Sequence, residues 1–154
     1  MEKTELRDNI KIKDSSIHAS AFVAEGARVI GDVILHKDSS IWYNTVARGD
    51  INQIVVGARS NVQDNSVIHL ENDQGVVIGD DVTIGHNAII HGCKIEDGAL
   101  IGMGAIIMNG AVIGSGAIIG AGATGLTAAL KLAQSGHNVT VFEKECRLGG
   151  HSNT

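Results

Sequence analysis

Aliphatic or small residues return every six positions along most of this chain. The first run is Ile17, Val23, Val29, Leu35, Ile41 and Ala47. The count resumes at Val56, Val62 and Ile68, then at Ile78, Ile84 and Ile90, and last at Ile95, Ile101, Ile107, Ile113 and Ile119. Small or polar residues fill most positions between. A fixed internal period signals a stacked architecture. Each hexad predicts one short strand plus a turn, and three hexads close one coil of a triangular parallel β-helix. The irregular steps, Ala47 to Val56, Ile68 to Ile78 and Ile90 to Ile95, each follow a complete set of three hexads. Insertions therefore collect at one corner of the prism, where loops leave the stack without breaking it. The expected fold is all-β, with about five to six coils. No coil buries its inward row alone, so neighbours must share a continuous aliphatic column. Open ends invite association, and the charged residues 1–16 are expected to cover the first coil.

Composition sharpens this reading. Apolar residues make up 44% of the chain but aromatics only 3%, so the core must be built from small and branched aliphatic side chains. Twenty glycines and no proline point to many tight turns. A net charge of -5 without a basic block argues against nucleic acid and anionic membrane as partners. Glycine interrupts every apolar run, so no helix is predicted to span a bilayer. Cys93 and Cys146 make no disulfide framework, and nothing resembles a signal peptide, which places the expected protein in the cytoplasm.

The register turns spacing into geometry. Arg48, His69 and His91 each follow an inward residue of the third face, so all three point outward on successive coils. Coils lie about 4.8 Å apart. His69 and His91 are thus predicted to be stacked neighbours, close enough to share a metal with bonds of about 2.0–2.1 Å. His86 falls on the second face, with Gln63 and Asp64 one coil before it. One subunit cannot easily bring it round the corner, but a neighbour can if its second face meets this third face. Such a heterologous contact closes into a ring, and a triangular prism suits a homotrimer with three equivalent interface sites. Three neutral nitrogen ligands leave a fourth position open, the arrangement of catalytic rather than structural zinc. His18, His36, His137 and His151 are read as solvated surface residues.

At these residues the chain resembles the gamma-class carbonic anhydrases. The phrases that match are Ile41-Trp42, Arg48-Gly49-Asp50, Asn61-Val62-Gln63-Asp64, His69, Thr83-Ile84-Gly85-His86, His91-Gly92-Cys93 and Leu100-Ile101-Gly102-Met103-Gly104-Ala105, within residues 8–122. The resemblance implies a left-handed β-helix trimer, with His69 and His91 from one subunit and His86 from the next. It implies a zinc, or an iron or cobalt, hydroxide attacking carbon dioxide to give bicarbonate. It further implies that Gln63 orients the hydroxide, that Asn61 supports the site, and that Arg48, Asp50 and Asp64 form an interface ion-pair cluster. That cluster serves either assembly alone or catalysis directly. The loop after His69 is short and offers Glu71 and Asp73 as proton-shuttling carboxylates.

The period stops at Gly125. Leu126, Ala129, Leu130 and Ala133 have helical spacing over 124–135, and His137 to Glu143 reads as a strand. From Ala117, the order is strand, then Gly120-x-Gly122-x-x-Gly125, then helix, strand and Glu143, a dinucleotide-binding fingerprint in its required context. Arg147-Leu148-Gly149-Gly150-His151 extends the match. This stretch resembles the opening FAD-binding segment of flavin-dependent amine oxidases and phytoene desaturases, where the glycines pack on the pyrophosphate and the acidic residue binds ribose. The phrase at 116–123 belongs to both patterns and reads as a splice point. Two segments are expected, a β-helix at 1–123 and a short α/β segment at 124–154. One β-α-β unit lacks the remaining strands and the substrate domain, so stable FAD binding is not expected, and the segment reads instead as a surrogate cap or a tail.

The function reading is a metal-dependent hydratase. Three alternatives stay open: a hexapeptide acyltransferase using an interface histidine as base without metal, a catalytically silent zinc-binding scaffold, and a flavin-binding fragment.

Overall fold

The computed structural model describes residues 13–120 and the strand at 141–142. Strands follow the six-residue count, coil by coil. The first coil holds β1 (Ser16–Ile17), β2 (Phe22–Val23) and the first half of β3 (Arg28–Leu35). The second takes the rest of β3, β4 (Ser40–Ile41) and the first half of β5 (Val46–Val56). The third runs through the rest of β5, β6 (Asn61–Val62) and β7 (Val67–His69). The fourth is β8 (Val76–Ile78), β9 (Thr83–Ile84) and β10 (Ile89–His91), and the fifth β11 (Lys94–Ile95), β12 (Leu100–Ile101) and β13 (Ile106–Ile107). The last coil has β14 (Val112–Ile113) and β15 (Ile118–Ile119), and β16 (Val141–Phe142) follows.

Every pairing is parallel, and the inward residues stack one above another. Ile17, Leu35, Val56, Ile78, Ile95 and Ile113 form the first column. Val23, Ile41, Val62, Ile84, Ile101 and Ile119 form the second. Val29, Ala47, Ile68, Ile90 and Ile107 form the third. From Leu35 to Ile101 these side chains are fully buried and merge into one core. Branched aliphatics suit this role because their stiff side chains pack well on a pleated surface.

The insertion corner lies where expected. Each irregular step falls between the third face and the first, and two of the strands there, β3 and β5, run continuously round it. The opposite corner, between second and third faces, is a tight turn whose key residue has positive φ: Gly26, Asn44, Asn65, Asn87 and Gly104. Asn tolerates this conformation better than other side chains, and Gly meets no Cβ clash there. Buried hydroxyls tie these turns across coils, as where Ser66 donates to the Gly85 carbonyl.

The ends differ from the middle. Ile17 is 47% exposed and Val23 36%, so the described residues leave the first coil's inward row open. Most of the N-terminal stretch expected to cover it, 1–12, lies outside the described residues. At the other end β16 adds to β15 in parallel, Val141 against Ile118 and Phe142 against Ile119. The strand expected after 137 is therefore present, laid on the edge of the last second-face strand. The predicted helix at 124–135 and the boundary at 123–124 lie outside the described residues. No helix among the described residues is long and apolar enough to cross a membrane.

Removing residues 121–154 strips β16 from that edge. Each lost backbone hydrogen bond is worth about 0.5–1.5 kcal/mol, which converts to a fall in thermal midpoint of several degrees, about 2–8 °C. Aggregation at that midpoint should rise as the bare edge is exposed. Differential scanning calorimetry with light scattering checks both.

Candidate metal centre

Parallel register brings the first two histidines together. His69 closes β7 and His91 closes β10, and their Cα atoms are direct partners. Their rings lie with centroids 5.1 Å apart, tilted by 59°. The inward residues before them, Ile68 and Ile90, are fully buried and anchor both rings from behind.

Hydrogen bonds then decide which nitrogens face inward to the pair. His69 Nε2–H donates to Asp50 Oδ1 at 3.0 Å, since a carboxylate only accepts. His91 Nδ1–H donates to Asn109 Oδ1 at 2.5 Å. A neutral imidazole carries one N–H, so both are spent on these outer partners. His69 Nδ1 and His91 Nε2 are left as two lone pairs facing each other 3.1 Å apart. With both rings neutral and these outer bonds made, no proton is left to bridge them. Two ligands of a tetrahedral zinc at about 2.0–2.1 Å are separated by about 3.3–3.4 Å. The donor set therefore fits a shared divalent metal, and the outer carboxylate and amide are the partners that metal-binding histidines use to set their tautomer.

Asp50 sits under this pair at the end of the Arg48-Gly49-Asp50 phrase and is nearly buried. Burial pushes its carboxyl up, but hydrogen bonds from His69 and Arg48, with the Arg48 charge, outweigh that and hold it below the ordinary 3.8. Arg48 pairs with Asp50 inside one chain, and its own side chain is half-exposed on the same face.

His86 stands apart. It occupies the turn after β9, at the corner between the second and third faces, rather than the second face itself. Its Nδ1 lies 3.0 Å from Asp64 Oδ2 in the equivalent turn one coil earlier. Among the described residues no three His, Cys, Asp or Glu side chains converge on a point. The expected cluster of Arg48, Asp50 and Asp64 is accordingly divided within one chain, Arg48 and Asp50 going with His69 and Asp64 with His86. Gln63 and Asn61 do come together: Gln63 Nε2 donates to Asn61 Oδ1 at 3.2 Å, and Asn61 Nδ2 donates to Thr83 Oγ1 at 3.0 Å. Of the fingerprint residues, Gly120 has φ +84, while Gly122, Gly125 and Glu143 lie outside the described residues.

Sequence reasoning missed Asn109. It reads as an ordinary Asn-Gly turn residue, and only the stacking of the fifth coil on the fourth shows that its amide meets His91. Cys93, two residues beyond His91, points into the core at 2% exposure, and burial pushes its thiol up to about 11. It is no ligand in this arrangement.

Comparison with known proteins places these features. Residues 92–124 match the family described as bacterial transferase hexapeptide (six repeats), and residues 118–154 match the NAD(P)-binding Rossmann-like domain. Both matches therefore claim 118–124. A mitochondrial gamma carbonic anhydrase 1 of Arabidopsis thaliana is 48% identical over 94 residues, 57% of this chain and 34% of that protein. A probable carbonic anhydrase of Methanocaldococcus jannaschii is 52% identical over 74 residues, 48% of this chain and 46% of that protein. A crystal structure of a hexapeptide transferase family protein from Anaplasma phagocytophilum superimposes with a TM-score of 0.65 at 47% identity, covering 68% of this chain and 61% of that one. The chain spans about a third to a half of the length of these curated relatives.

In a Cys146→Ser background, the native protein should react with a thiol reagent at least about a hundredfold more slowly than the unfolded chain, because access to Cys93 needs opening of the core. Absorbance at neutral pH, with and without denaturant, measures the ratio. From its repeat, register and matched phrases, the chain over residues 13–120 is a hexapeptide-repeat β-helix that resembles the gamma carbonic anhydrases, followed by a C-terminal stretch whose sequence resembles the opening of a dinucleotide-binding domain.

Proposed function

We propose that this chain is a carbonic anhydrase-like hydratase, working as a homotrimer with a divalent metal at each subunit interface. The observation that carries this reading is the pair of lone pairs on His69 and His91, set face to face by N–H donation to Asp50 and Asn109. His86 of an adjacent subunit is the third ligand. Its corner position, with the ring 45% exposed, leaves it free to reach a neighbour's third face. Zinc is the metal of this proposal, with iron or cobalt as substitutes that three nitrogen ligands also accept.

His69 and His91, with His86 of an adjacent subunit, would hold the metal, which would supply an acidified water as the nucleophile for hydration of carbon dioxide. The chain's own residues do the rest. Asp50 holds the His69 ring in place and stabilises the positive charge that gathers beside it. Gln63, braced by Asn61 and Thr83, presents an amide whose position on the second face suits orienting a bound oxygen from the neighbour's side. Arg48 neutralises Asp50 and, half-exposed, is placed to meet Asp64 across the same interface. Glu71, on the loop after His69, is the carboxylate for proton exchange with solvent.

The acyltransferase reading is favoured by the likeness to a hexapeptide transferase family protein, but a base of that kind directs one lone pair at a substrate hydroxyl or amine, whereas here two lone pairs face each other 3.1 Å apart, a spacing that suits a shared metal. The zinc-binding scaffold without turnover shares every contact above, and isotope exchange between carbon dioxide and water separates the two. FAD binding plays no part in this proposal.

His69→Ala and His91→Ala should each reduce bound metal to below a tenth of the wild-type content, since two nitrogen ligands and water hold zinc poorly. His86→Ala should do the same although it is remote in its own chain. Elemental analysis of the purified trimer is the measurement, and full zinc in any single variant would refute the ligand set.

Arg48→Ala tests the interface separately. In an isolated chain its half-exposed pair with Asp50 is worth about 0–1 kcal/mol. Desolvated against a neighbour, a broken pair costs on the order of 3–5 kcal/mol. Sedimentation should therefore show weakened trimers while the circular dichroism of the chain is unchanged.

A further inference from the structure

Asn109 has no role in the metal reading so far beyond accepting one hydrogen bond, yet its surroundings are built to a purpose. Its carbonyl oxygen accepts the His91 Nδ1–H at 2.5 Å. Its amide nitrogen donates to Glu71 Oε1 at 2.9 Å. A carboxylate accepts only, so Glu71 fixes which end of the amide points at the ring. The three residues come from three different coils, and Glu71 and Asn109 are 38 positions apart in the chain. Glu71 is itself held. Its N–H donates to the Gln74 carbonyl at 3.0 Å, and the Asn52 amide donates to the Asn72 carbonyl at 3.1 Å, pinning the loop.

A second observation is independent of these bonds. Residue 92, next to His91, is Gly, and a Cβ built there would come within 3.2 Å of Asn109 Oδ1 and 3.4 Å of its Cγ. The space that Asn109 fills is open because Gly92 has no side chain. The Gly110 N–H, in turn, donates to the Gly92 carbonyl at 2.9 Å, locking the two corners together.

We infer that Asn109 is a positioning residue for the metal centre: oriented by Glu71, its amide holds His91 in the Nδ1–H tautomer and keeps Nε2 aimed at the shared site. The inference rests on the metal-binding reading and adds to it a polar relay from Glu71 through Asn109 to His91. An apolar residue at 109 frees the ring to protonate on Nε2, which removes the ligand without touching the ligand residue. Loss of an outer partner of this kind typically weakens metal binding by about 10–100-fold.

The test uses the full chain and measures zinc and cobalt dissociation constants by competition with a chromophoric chelator, alongside the thermal midpoint of metal-free protein. Asn109→Leu, of similar size, should bind both metals about 10–100-fold more weakly with little change in the metal-free midpoint. The exchanged pair Glu71→Gln with Asn109→Asp restores a donor facing a carboxylate, the carboxylate now accepting from His91, and should recover affinity to within a few-fold of wild type. If Asn109→Leu binds metal as tightly as wild type, the inference fails while the metal site stands. If the exchanged pair is as weak as Asn109→Leu, the oriented relay is refuted. If wild-type protein takes up neither metal, the relay falls together with the metal reading.

Discussion

Parallel pairing of each coil on the next, residue over residue, is the constraint from which everything else in this molecule follows. It places adjacent backbones about 4.8 Å apart and keeps each face in register, because a slip by one residue would turn a buried column outward; the shift between Gly31 and Val33 is confined to the insertion corner. The core, the corners and the histidine pair are three readings of that single registration. The aliphatic columns occupy inward positions, Asn and Gly occupy the left-handed turn positions, and His69 and His91 occupy the outward position that follows the buried isoleucines. The closeness of the coils also explains local composition. A Cβ at Gly85 would meet the Met103 backbone nitrogen at 2.7 Å, so the residue before His86 has no room for a side chain.

Much of this was legible because the repeat carries its own ruler. The count of six correctly matched all three columns, and the breaks after Ala47, Ile68 and Ile90 located the insertion corner. His69 over His91 followed from the same arithmetic. The count was weaker wherever a residue left the strand. His86 was assigned to a face but sits in the turn, since hexad position alone does not say how far the corner residues swing outward. Asn109 escaped notice for a related reason: Asn before Gly is the ordinary composition of a tight turn, and its second use emerges only when its coil is laid on His91. The resemblance grouped Arg48, Asp50 and Asp64 as one interface cluster, whereas within one chain Arg48 pairs with Asp50 and Asp64 lies with His86.

The polar residues around the histidines show why an apolar scaffold suits this chemistry. The inward columns of the prism are aliphatic, so the groups that set each ring tautomer come from the outer row or a corner. Asp50 comes from the long strand β5, Asn109 from the same corner of the fifth coil, where the count is unbroken, and Glu71 from the loop that the insertion made possible. The insertion corner that interrupts the repeat is thus also the supplier of side chains that a strict repeat has no place for.

The strand at Val141–Phe142 carries a broader lesson. A parallel edge recognises a newcomer by backbone spacing and by alternation of side chains, and is blind to ancestry. Sequence matching one kind of architecture can therefore be seated on the terminus of another, provided that its first strand keeps the period at the join. Ile118 and Ile119 satisfy both grammars at once, which makes the end of a solenoid a practical point for grafting foreign segments.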